Sequence, residues 1–294
     1  MSADTATRHA RMVAPENLPP APSYGVLHRV WRWLRAHIIA ILAICALIYM
    51  FAPVFVVVLF SFNSPAGRFN YEWNQFSLSA WTDPCKDSQM CDAVGLSLTI
   101  GLVATIAATI LGTLVAFALG RYRFRGRGTT NVFIFLPMAT PEVVMGASLL
   151  TLFVNLGQAG RLGTWSITIA HVMFCISFVV TTVKARIAGL DPRLEQAAMD
   201  LYADERATFW RVTFPLVLPG IVGAALLAFS LSFDDYVITQ FAAGPKITFP
   251  IYVWTASQRG IPPEANVVGA AMFIVAFLIV LLPELIRGRR RAEA

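Results

Sequence analysis

The sequence predicts an all-α membrane protein with six transmembrane helices, and three observations support this fold class. The chain of 294 residues is 57% hydrophobic and only 14% charged, whereas soluble proteins average about 25% charged residues. Its apolar residues lie in blocks that match the roughly 20 helical residues needed to cross a bilayer. The blocks lack the alternation of a transmembrane β-strand, so a β-barrel is excluded.

The six predicted spans follow one another along most of the chain. They are 38–62, 93–119, 130–154, 164–183, 216–240 and 265–286. Four of them contain proline, which a membrane helix tolerates because neighbouring helices can satisfy the backbone carbonyls that proline frees. The first block is predicted to be a retained helix, since it is longer than the roughly 7–15-residue core of a signal peptide.

The two ends of the chain are predicted to lie outside the helical domain. Residues 1–23, rich in Ala, Pro and Thr and without periodicity, are predicted to be a disordered cytoplasmic tail. Residues 24–37 hold two tryptophans among three arginines, which favours an interfacial elbow helix; a frayed basic tail is the alternative. Residues 38–290 then form the six-helix domain, and 291–294 form a second cytoplasmic tail.

The positions of the basic residues predict that both termini are cytoplasmic. Most of the 23 Lys and Arg residues fall in the two tails and in the loops after the second and fourth spans. The other three loops hold Arg68, Lys86, Arg161, Lys246 and Arg259. Basic residues retain loops on the cytoplasmic side of the membrane. The net charge of +6 therefore reflects topology and does not indicate a nucleic-acid partner.

The four cysteines divide by their predicted location. Cys85 and Cys91 both fall in the first outside loop, where an oxidising periplasm allows a disulfide between them; metal binding is the less favoured alternative, because no histidine lies nearby. Cys45 and Cys175 lie within spans and are interpreted as small packing residues.

The long inside loop between the fourth and fifth spans, 191–215, predicts a short helix, a turn and a second helix. Pro192 can begin the first helix without losing an internal hydrogen bond, and Asp204 can cap the second. One small apolar face recurs at helical spacing: Leu194, Ala197, Ala198 and Leu201. Such a helix suits a groove on another protein. A helix lying on the membrane is the alternative, but that role needs a broader apolar face.

This loop resembles the EAA loop of ABC-importer permeases. The match consists of Gln196, Ala197 and Ala198, then Tyr202, and then 212–215 (VTFP) at the family's spacing. The resemblance implies a coupling helix that docks in a cleft of the ATPase subunit. It assigns coupling to Glu195, Gln196, Ala197, Ala198, Asp200, Leu201 and Tyr202. Because tyrosine replaces the family's glycine at 202, a left-handed turn is not expected there, and Asp204 capping is the alternative source of the break.

Further segments resemble the second permease of spermidine/putrescine importers. These segments are 136–146, 229–237, 243–245, 250–252 and 260–266, and the similarity spans about 90–290. The resemblance implies an inner-membrane permease that works by alternating access in membrane lipid. Its implied partners are a second permease, two ATP-binding cassette subunits and a periplasmic solute-binding protein. Polyamines are the implied solutes, with phosphonate or ferric iron as alternatives.

Acidic residues inside the spans are candidates for the solute pathway, because charge at membrane depth usually faces a bundle interior or a water-filled path. Asp234 and Asp235 are predicted near the outer end of the fifth span, among the aromatic residues Phe229, Phe233, Tyr236 and Phe241. Carboxylates and aromatic faces both attract ammonium groups. Adjacent helical residues point about 100° apart, so at most one aspartate faces the pore. The alternative is an aspartate bonded to a neighbouring helix.

Glu142 follows Pro141 in the third span, at a point where the helix can be broken. Capping of a helix end and lining of the pore are both open for this residue. The predicted pathway set is therefore Glu142, Asp234, Asp235 and Tyr236.

Two other classes fit less well. An enzyme would need a nucleophile–base pair, a metal site or a phosphate-binding Gly-Lys-Ser/Thr loop, and the sequence offers none of these and no cofactor motif. His171, the one histidine within a predicted span, is interpreted as a helix–helix hydrogen-bonding residue. A self-contained secondary transporter remains an alternative, but it would need no helical docking loop.

Overall fold

The computed structural model describes residues 26–67 and 69–292, and this part of the chain is largely helical. In chain order the elements are α1 (Val26–Phe60), β1 (Asn63–Ser64), β2 (Gln75–Phe76), α2 (Ser79–Thr82), α3 (Ser88–Arg121), α4 (Arg127–Ala139), α5 (Glu142–Asn155), α6 (Thr164–Ala188), α7 (Arg193–Asp200), α8 (Glu205–Thr208), α9 (Phe214–Asp234), α10 (Val237–Ala242), α11 (Phe249–Arg259) and α12 (Pro263–Ala292). A π-helical turn, Phe209–Thr213, joins α8 to α9. The predicted tail 1–23, residues 24–25 of the predicted elbow and the last two residues of the tail 291–294 lie outside the described residues.

The predicted membrane fold class is confirmed. Among the described residues, four helical stretches are long and apolar enough to cross a membrane: His37–Phe60, Ser88–Arg121, Thr164–Ala188 and Glu205–Asp234. The pair α4 and α5 makes a fifth when counted as one broken span. The sixth predicted span lies within α12, whose apolar stretch is Pro263–Leu278. Described residues of the predicted elbow continue into the first span within α1 without a break.

The third predicted span is broken at Pro141. The helices on its two sides, α4 and α5, are bent by 108° relative to each other. Thr140 is extended, with φ −85° and ψ 134°, because the ring of a following proline disfavours the helical region for the residue before it. The predicted stretch 130–154 is thus two helices.

The core of the helix bundle is formed by α3, α6 and α9, which approach one another closely through small residues. Buried small residues of α3 and α9 are Ala104, Ala108, Gly112, Ala116, Ala224 and Ala228. Membrane helices pack through such positions because lipid supplies little hydrophobic driving force between helices. At Gly112 the approach is so close that an added Cβ would lie 2.7 Å from Val179 Cγ1.

The two ends of this bundle are built differently. At one end, which we call the α7 end, Arg186 Nε donates a hydrogen bond to the Leu216 carbonyl at 3.0 Å and so joins α6 to α9. At the opposite end, the α10 end, the Ser166 hydroxyl donates to the Ala242 carbonyl at 2.8 Å. There the Phe249 N–H also donates to the Ser97 hydroxyl at 2.8 Å. The connections 122–126 and 189–192 lie at the α7 end.

A disulfide joins Cys85 to Cys91, with 5.4 Å between their Cα atoms, so the structure selects the paired alternative. Asp87, inside this loop, accepts a hydrogen bond from the Gln89 N–H at 3.0 Å and caps α3. Its other carboxylate oxygen accepts one from the Tyr252 hydroxyl at 2.6 Å. The disulfide loop therefore connects the beginning of α3 to α11.

The chain divides into two compact units between Phe55 and Val56. The contacts described above at the two ends of the bundle and in the disulfide loop all lie in the second unit.

Candidate functional site

The loop that resembles the EAA motif forms two helices with a sharp turn between them. The Asp191 side chain accepts a hydrogen bond from the Arg193 N–H at 2.9 Å, and Pro192 precedes the first helical residue of α7. After the turn, Asp204 accepts a hydrogen bond from the Ala207 N–H at 2.6 Å and caps α8. The predicted order of helix, turn and helix is confirmed, and so is the cap at Asp204.

The turn itself is left-handed at Tyr202, with φ 64°, the one non-glycine residue of the described chain with positive φ. The expectation that tyrosine would prevent a left-handed turn here is wrong. This conformation costs an L-residue about 1–2 kcal/mol. The Tyr202 side chain is 100% exposed, so its own packing within the described chain does not offset that cost.

The outward face of α7 carries most of the residues to which the resemblance assigns coupling. Leu194 is 47% exposed and Leu201 is 81% exposed. The members of the set that are exposed are Gln196, Ala197, Asp200, Leu201 and Tyr202. Ala198 is half-buried and turns partly toward the bundle. A small apolar surface flanked by polar groups is therefore open to a partner.

Glu195 points the other way, into the bundle. Its two carboxylate oxygens accept hydrogen bonds from Arg121 Nη1 and Nη2, each at 2.5 Å. One of the oxygens also accepts the hydroxyl proton of Thr213, at 2.5 Å. Arg121 is the last residue of α3 and Thr213 directly precedes α9. Sequence reasoning missed both contacts, because the two partners lie 74 and 18 residues from Glu195. Thr213 falls within the matched segment 212–215, but the resemblance assigns it no role.

The ionisation of Glu195 is set by these contacts. Burial opposes the charged form, but the hydrogen bonds from Arg121 and Thr213 and the positive charge of Arg121 outweigh it. Together they hold the pKa of the Glu195 carboxyl below its ordinary value. The carboxylate is thus charged throughout the neutral pH range.

The adjacent aspartates of the fifth predicted span have different environments. The structure ends α9 at Asp234, whereas the prediction carried the helix to 240, because Asp235 is extended with φ −67° and ψ 116°. The Asp235 carboxylate is buried and accepts hydrogen bonds from the Thr239 N–H at 2.7 Å and the Thr239 hydroxyl at 2.9 Å. Because the Asp235 side chain bonds to the backbone at the beginning of α10, it favours the end of α9 at this point. Asp235 therefore orders the α9–α10 junction. Its position agrees with the alternative in which an aspartate of this pair bonds to a neighbouring helix.

His171 of α6 completes this buried cluster. Its Nδ1 lies 2.7 Å from Ser232 Oγ, and its Nε2 lies 2.9 Å from Thr239 Oγ1 and 3.3 Å from Asp235 Oδ2. The Thr239 hydroxyl donates its single proton to Asp235, so it must accept from His171 Nε2. The interpretation of His171 as a helix–helix hydrogen-bonding residue is confirmed. Its partners Ser232 and Thr239 were missed.

Asp234 is the exposed aspartate of the pair, and aromatic rings surround the end of α9 where it lies. The Phe233 ring is 6.0 Å from the Phe249 ring, and the half-buried Tyr236 ring is 5.3 Å from the Trp254 ring. Trp254 remains 53% exposed. Sequence reasoning missed the two aromatic residues of α11 because they lie outside the predicted spans. A carboxylate beside exposed aromatic faces can attract an organic ammonium ion.

Two further predicted residues have separate positions. Glu142 is exposed in the first turn of α5, directly after the bend, where a negative charge interacts favourably with the helix dipole. Phe241, predicted near the aspartates, packs against Gly146 of α5. The structure therefore does not bring Phe241 into the aromatic group at the end of α9.

Comparison with known proteins identifies the family. Residues 108–288 match the family described as binding-protein-dependent transport system inner membrane component. The spermidine/putrescine transport system permease protein PotC of Escherichia coli (strain K12) is 34% identical over 239 residues, 81% of this chain and 89% of that protein. The putrescine transport system permease protein PotI of the same strain is 39% identical over 240 residues, 78% of this chain and 85% of that protein.

Solved structures support the fold. A chain of a bacterial ABC transporter involved in the import of the acidic polysaccharide alginate aligns with a TM-score of 0.58 and 19% identity. The alignment covers 91% of this chain and 99% of that chain. At this identity the likeness concerns the fold, which is that of an ABC-transporter membrane subunit.

Proposed function

Because this chain belongs to the family of binding-protein-dependent transport system inner membrane components, we propose that it is a pore-forming permease subunit of an ABC importer for polyamines. It is a multi-pass transport component of the inner membrane. The subunit moves putrescine or spermidine by alternating access. ATP is hydrolysed by a partner subunit, and the permease itself performs no chemical step.

The observation that carries the docking part of the proposal is the outward face of α7. Leu194, Ala197 and Leu201 present a small apolar surface, and Tyr202 projects from the turn beside it. A short helix of this kind fits a hydrophobic groove. We assign this face to a cleft of an ATP-binding cassette subunit, with one such subunit under this permease and one under a second, related permease.

The solute part of the proposal rests on two independent supports. The relatives named for spermidine and putrescine transport are 34% and 39% identical to this chain over most of its length. The chain itself carries an exposed carboxylate, Asp234, two residues before Tyr236, whose ring packs against that of Trp254. Both groups attract protonated amines. The proposed pathway set includes Glu142 at the bend of the third span.

The proposed orientation follows from the basic residues. Connections at the α7 end hold clustered arginines, including Arg123, Arg125 and Arg127, and such residues stay cytoplasmic. The α10 end then faces the periplasm, where a solute-binding protein delivers its cargo, and the Cys85–Cys91 disulfide lies in an oxidising compartment. Both termini are cytoplasmic in this arrangement, with 1–23 a tail, 24–37 an elbow, 38–290 the permease domain and 291–294 a second tail.

The docking proposal is tested by adding charge to the outward face of α7. The variant Ala197→Asp is expected to lose co-purification with the ATPase subunit while it accumulates normally in the membrane. Thr129→Asp is the matched control: it adds the same charge to an exposed position at the same end of the bundle, in the first turn of α4. Retained ATPase binding by Ala197→Asp would contradict the assignment of this face.

The solute proposal is tested in proteoliposomes that hold the chain with its partner permease, ATPase and binding protein. Putrescine or spermidine is expected to stimulate ATP hydrolysis and to accumulate inside the vesicles. A phosphonate and a ferric chelate are measured in parallel. Stimulation by one of these and not by either polyamine would assign the importer to another solute. Uptake by this chain alone, without an ATPase, would instead support a secondary transporter.

A further inference from the structure

The Glu195 carboxylate joins three separate elements at the α7 end. It receives two parallel hydrogen bonds from the Arg121 guanidinium at the last residue of α3 and one from the Thr213 hydroxyl at the beginning of α9. Glu195 itself lies in the first turn of α7. A single side chain therefore links the helix proposed to dock on the ATPase to the ends of two membrane spans.

Apart from this link, α7 is loosely attached. None of its eight residues, all of which the structure describes, is buried. An open cavity of about 750 Å³ separates α7 and α8 from α3. Its walls are mainly apolar, and include Leu114 and Phe117 of α3 and Met199 of α7. A helix held by few packing contacts transmits displacement mainly through its directional bonds.

The geometry of the Arg121–Glu195 pair suits the transmission of movement from α7 to the membrane spans. A guanidinium that forms two parallel bonds to one carboxylate fixes both distance and orientation, which a single bond does not. The Arg121 and Glu195 side chains are 32% and 21% exposed, so water screens the pair only in part. Thr213 ends a π-helical turn, an irregularity that often marks a functional site. In the same turn Phe209 packs edge-on against Phe117 of α3, with 5.4 Å between ring centroids.

We propose that Arg121, Glu195 and Thr213 form a coupling latch, which makes the inner ends of α3 and α9 follow α7 when the ATPase moves it. This proposal rests on the proposed function, because it assumes that α7 is the element the ATPase displaces. Glu195 is then a positioning residue: its action is on α3 and α9, and docking depends on the outward face of α7. Without the latch, the ATPase still displaces α7 and hydrolyses ATP, but α3 and α9 follow this displacement only in part.

The variants that test the latch are Glu195→Gln and Arg121→Gln. Each keeps the length and hydrogen-bonding capacity of its side chain better than alanine would, and each removes the ion pair. Both are expected to keep ATPase co-purification and ATP hydrolysis, while the solute taken up per ATP falls by about fivefold or more, the lower range of allosteric couplings. Arg123→Gln, two residues beyond Arg121 and exposed, is the matched control and is expected to keep the wild-type ratio.

Two more variants separate the latch from a general role in folding. The exchange Arg121→Glu with Glu195→Arg restores the ion pair with reversed charges and is expected to recover most of the uptake per ATP. Thr213→Val removes one contact, and an intermediate loss is expected. Where a glutamine variant fails to accumulate, Thr213→Val supplies the measurement in its place.

The readout distinguishes failure of the latch from failure of the proposed function. A wild-type complex that shows neither polyamine uptake nor polyamine-stimulated ATP hydrolysis refutes the proposed function. A wild-type complex that transports, together with Glu195→Gln and Arg121→Gln variants of unchanged uptake per ATP, refutes the latch. Loss of ATPase co-purification in these variants also refutes it, because Glu195 would then belong to the docking surface.

Discussion

His171 Nε2 lies 3.3 Å from Asp235 Oδ2, and both side chains are almost completely buried, with 3% and 4% exposed. The two residues belong to different helical segments, α6 and the α9–α10 junction. Thr239 Oγ1 contacts the same ring nitrogen, and Ser232 Oγ contacts Nδ1 on the other side of the ring. The cluster therefore fixes where α9 ends, and with it the direction in which the neighbouring Asp234 side chain projects.

We predict that His171→Leu destabilises the protein by about 2–3 kcal/mol. The change leaves a buried carboxylate and two hydroxyls without the ring that joins them, and buried polar groups without partners are costly. Thr168→Val in the same helix is the control, because the Thr168 hydroxyl donates to Thr164 within its own helix. Denaturant-induced unfolding of the purified protein in detergent checks this; equal stability of the two variants would contradict it.

The close approach of α3 to α6 leads to a second prediction, for glycine positions on one helix. Gly112→Ala is expected to lower the thermal unfolding midpoint, because the new Cβ would lie 2.8 Å from Val179 Cβ, and a β-branched side chain cannot easily turn away. Gly95→Ala is expected to raise the midpoint slightly, since nothing lies within 4 Å of its added Cβ and alanine favours helix by about 1 kcal/mol.

A second substitution identifies the clash as the cause. Val179→Ala opens space opposite Gly112, so the pair Gly112→Ala, Val179→Ala is expected to be more stable than the sum of the two single effects. Additive effects would mean that helix contact at Gly112 does not limit stability.

The membrane fold could be predicted from hydropathy, and Pro141 indicated where the third span can break, but the early end of the fifth span could not be predicted. The second and fourth predicted spans, 93–119 and 164–183, correspond to α3 and α6 with a few added residues at the ends. Both spans are apolar over most of their length, so hydropathy is sufficient to locate them. The fifth span ends early for a different reason: Asp235 finds buried partners on another helix, and nothing in the local sequence indicates them.

The coupling loop shows the same division. Its two helices and the Asp204 cap depend on neighbouring residues, and the sequence predicts them. The left-handed turn at Tyr202 is closed by local hydrogen bonds, including that of the Ala203 N–H to the Ala198 carbonyl at 3.1 Å. The direction of Glu195, in contrast, depends on α3 and α9, which only the folded chain brings close. The local sequence thus predicts the short helix whose outward face we propose as a docking surface, while the proposed latch depends on contacts between residues that are distant in sequence.

Tyr202→Gly is predicted to have opposite effects on stability and on docking. Glycine adopts the left-handed conformation without strain, but it also has a larger entropy in the unfolded chain. The net increase expected in the free energy of unfolding is about 0.5–1 kcal/mol. ATPase affinity is expected to fall, because an exposed side chain at the docking face is lost. Leu201→Gly, at a residue with negative φ, is expected to lower both. Thermal unfolding and co-purification provide the two measurements; a Tyr202→Gly variant with unchanged stability would contradict the strain argument.

Tyr252→Phe is predicted to destabilise the protein by about 1–2 kcal/mol, because Asp87 loses a buried hydrogen-bond donor. Burial, the hydrogen bond to Asp87 and the charges of Asp87 and Glu264 raise the pKa of the Tyr252 hydroxyl above its ordinary 10.0. The contribution of this hydroxyl is therefore fully present below about pH 10 and is lost as the pH rises through the raised value. Unfolding free energies measured from pH 7 to 11 check this.

The control for Tyr252 is Tyr71→Phe. The Tyr71 hydroxyl reaches the Ser257 carbonyl at 3.4 Å and its side chain is exposed, so a change within about 0.5 kcal/mol is expected. A stability difference between wild type and Tyr252→Phe that grows above pH 10 would contradict the assigned role of the hydroxyl.

Asp234→Asn and Asp235→Asn are predicted to affect different properties, the KM for the solute and the amount of folded protein, respectively. Asp235→Asn weakens a buried cluster, so the amount of folded protein is expected to fall while the KM of the remaining protein changes little. Asp234→Asn removes an exposed charge at the end of α9, so normal protein levels are expected, with a KM for putrescine about tenfold higher, equivalent to about 1.4 kcal/mol.

Ionic strength separates attraction of the solute by Asp234 from an effect on helix geometry. Added salt screens exposed charges beyond about 8–10 Å, so the wild-type KM is expected to rise with salt and the Asp234→Asn KM to stay nearly constant. Asp83→Asn, at an exposed acid directly after α2, is expected to follow the wild type. If Asp234→Asn retains the wild-type KM and its salt dependence, then the carboxylate does not attract the solute, and the polyamine pathway must be sought at Glu142 or on the partner permease.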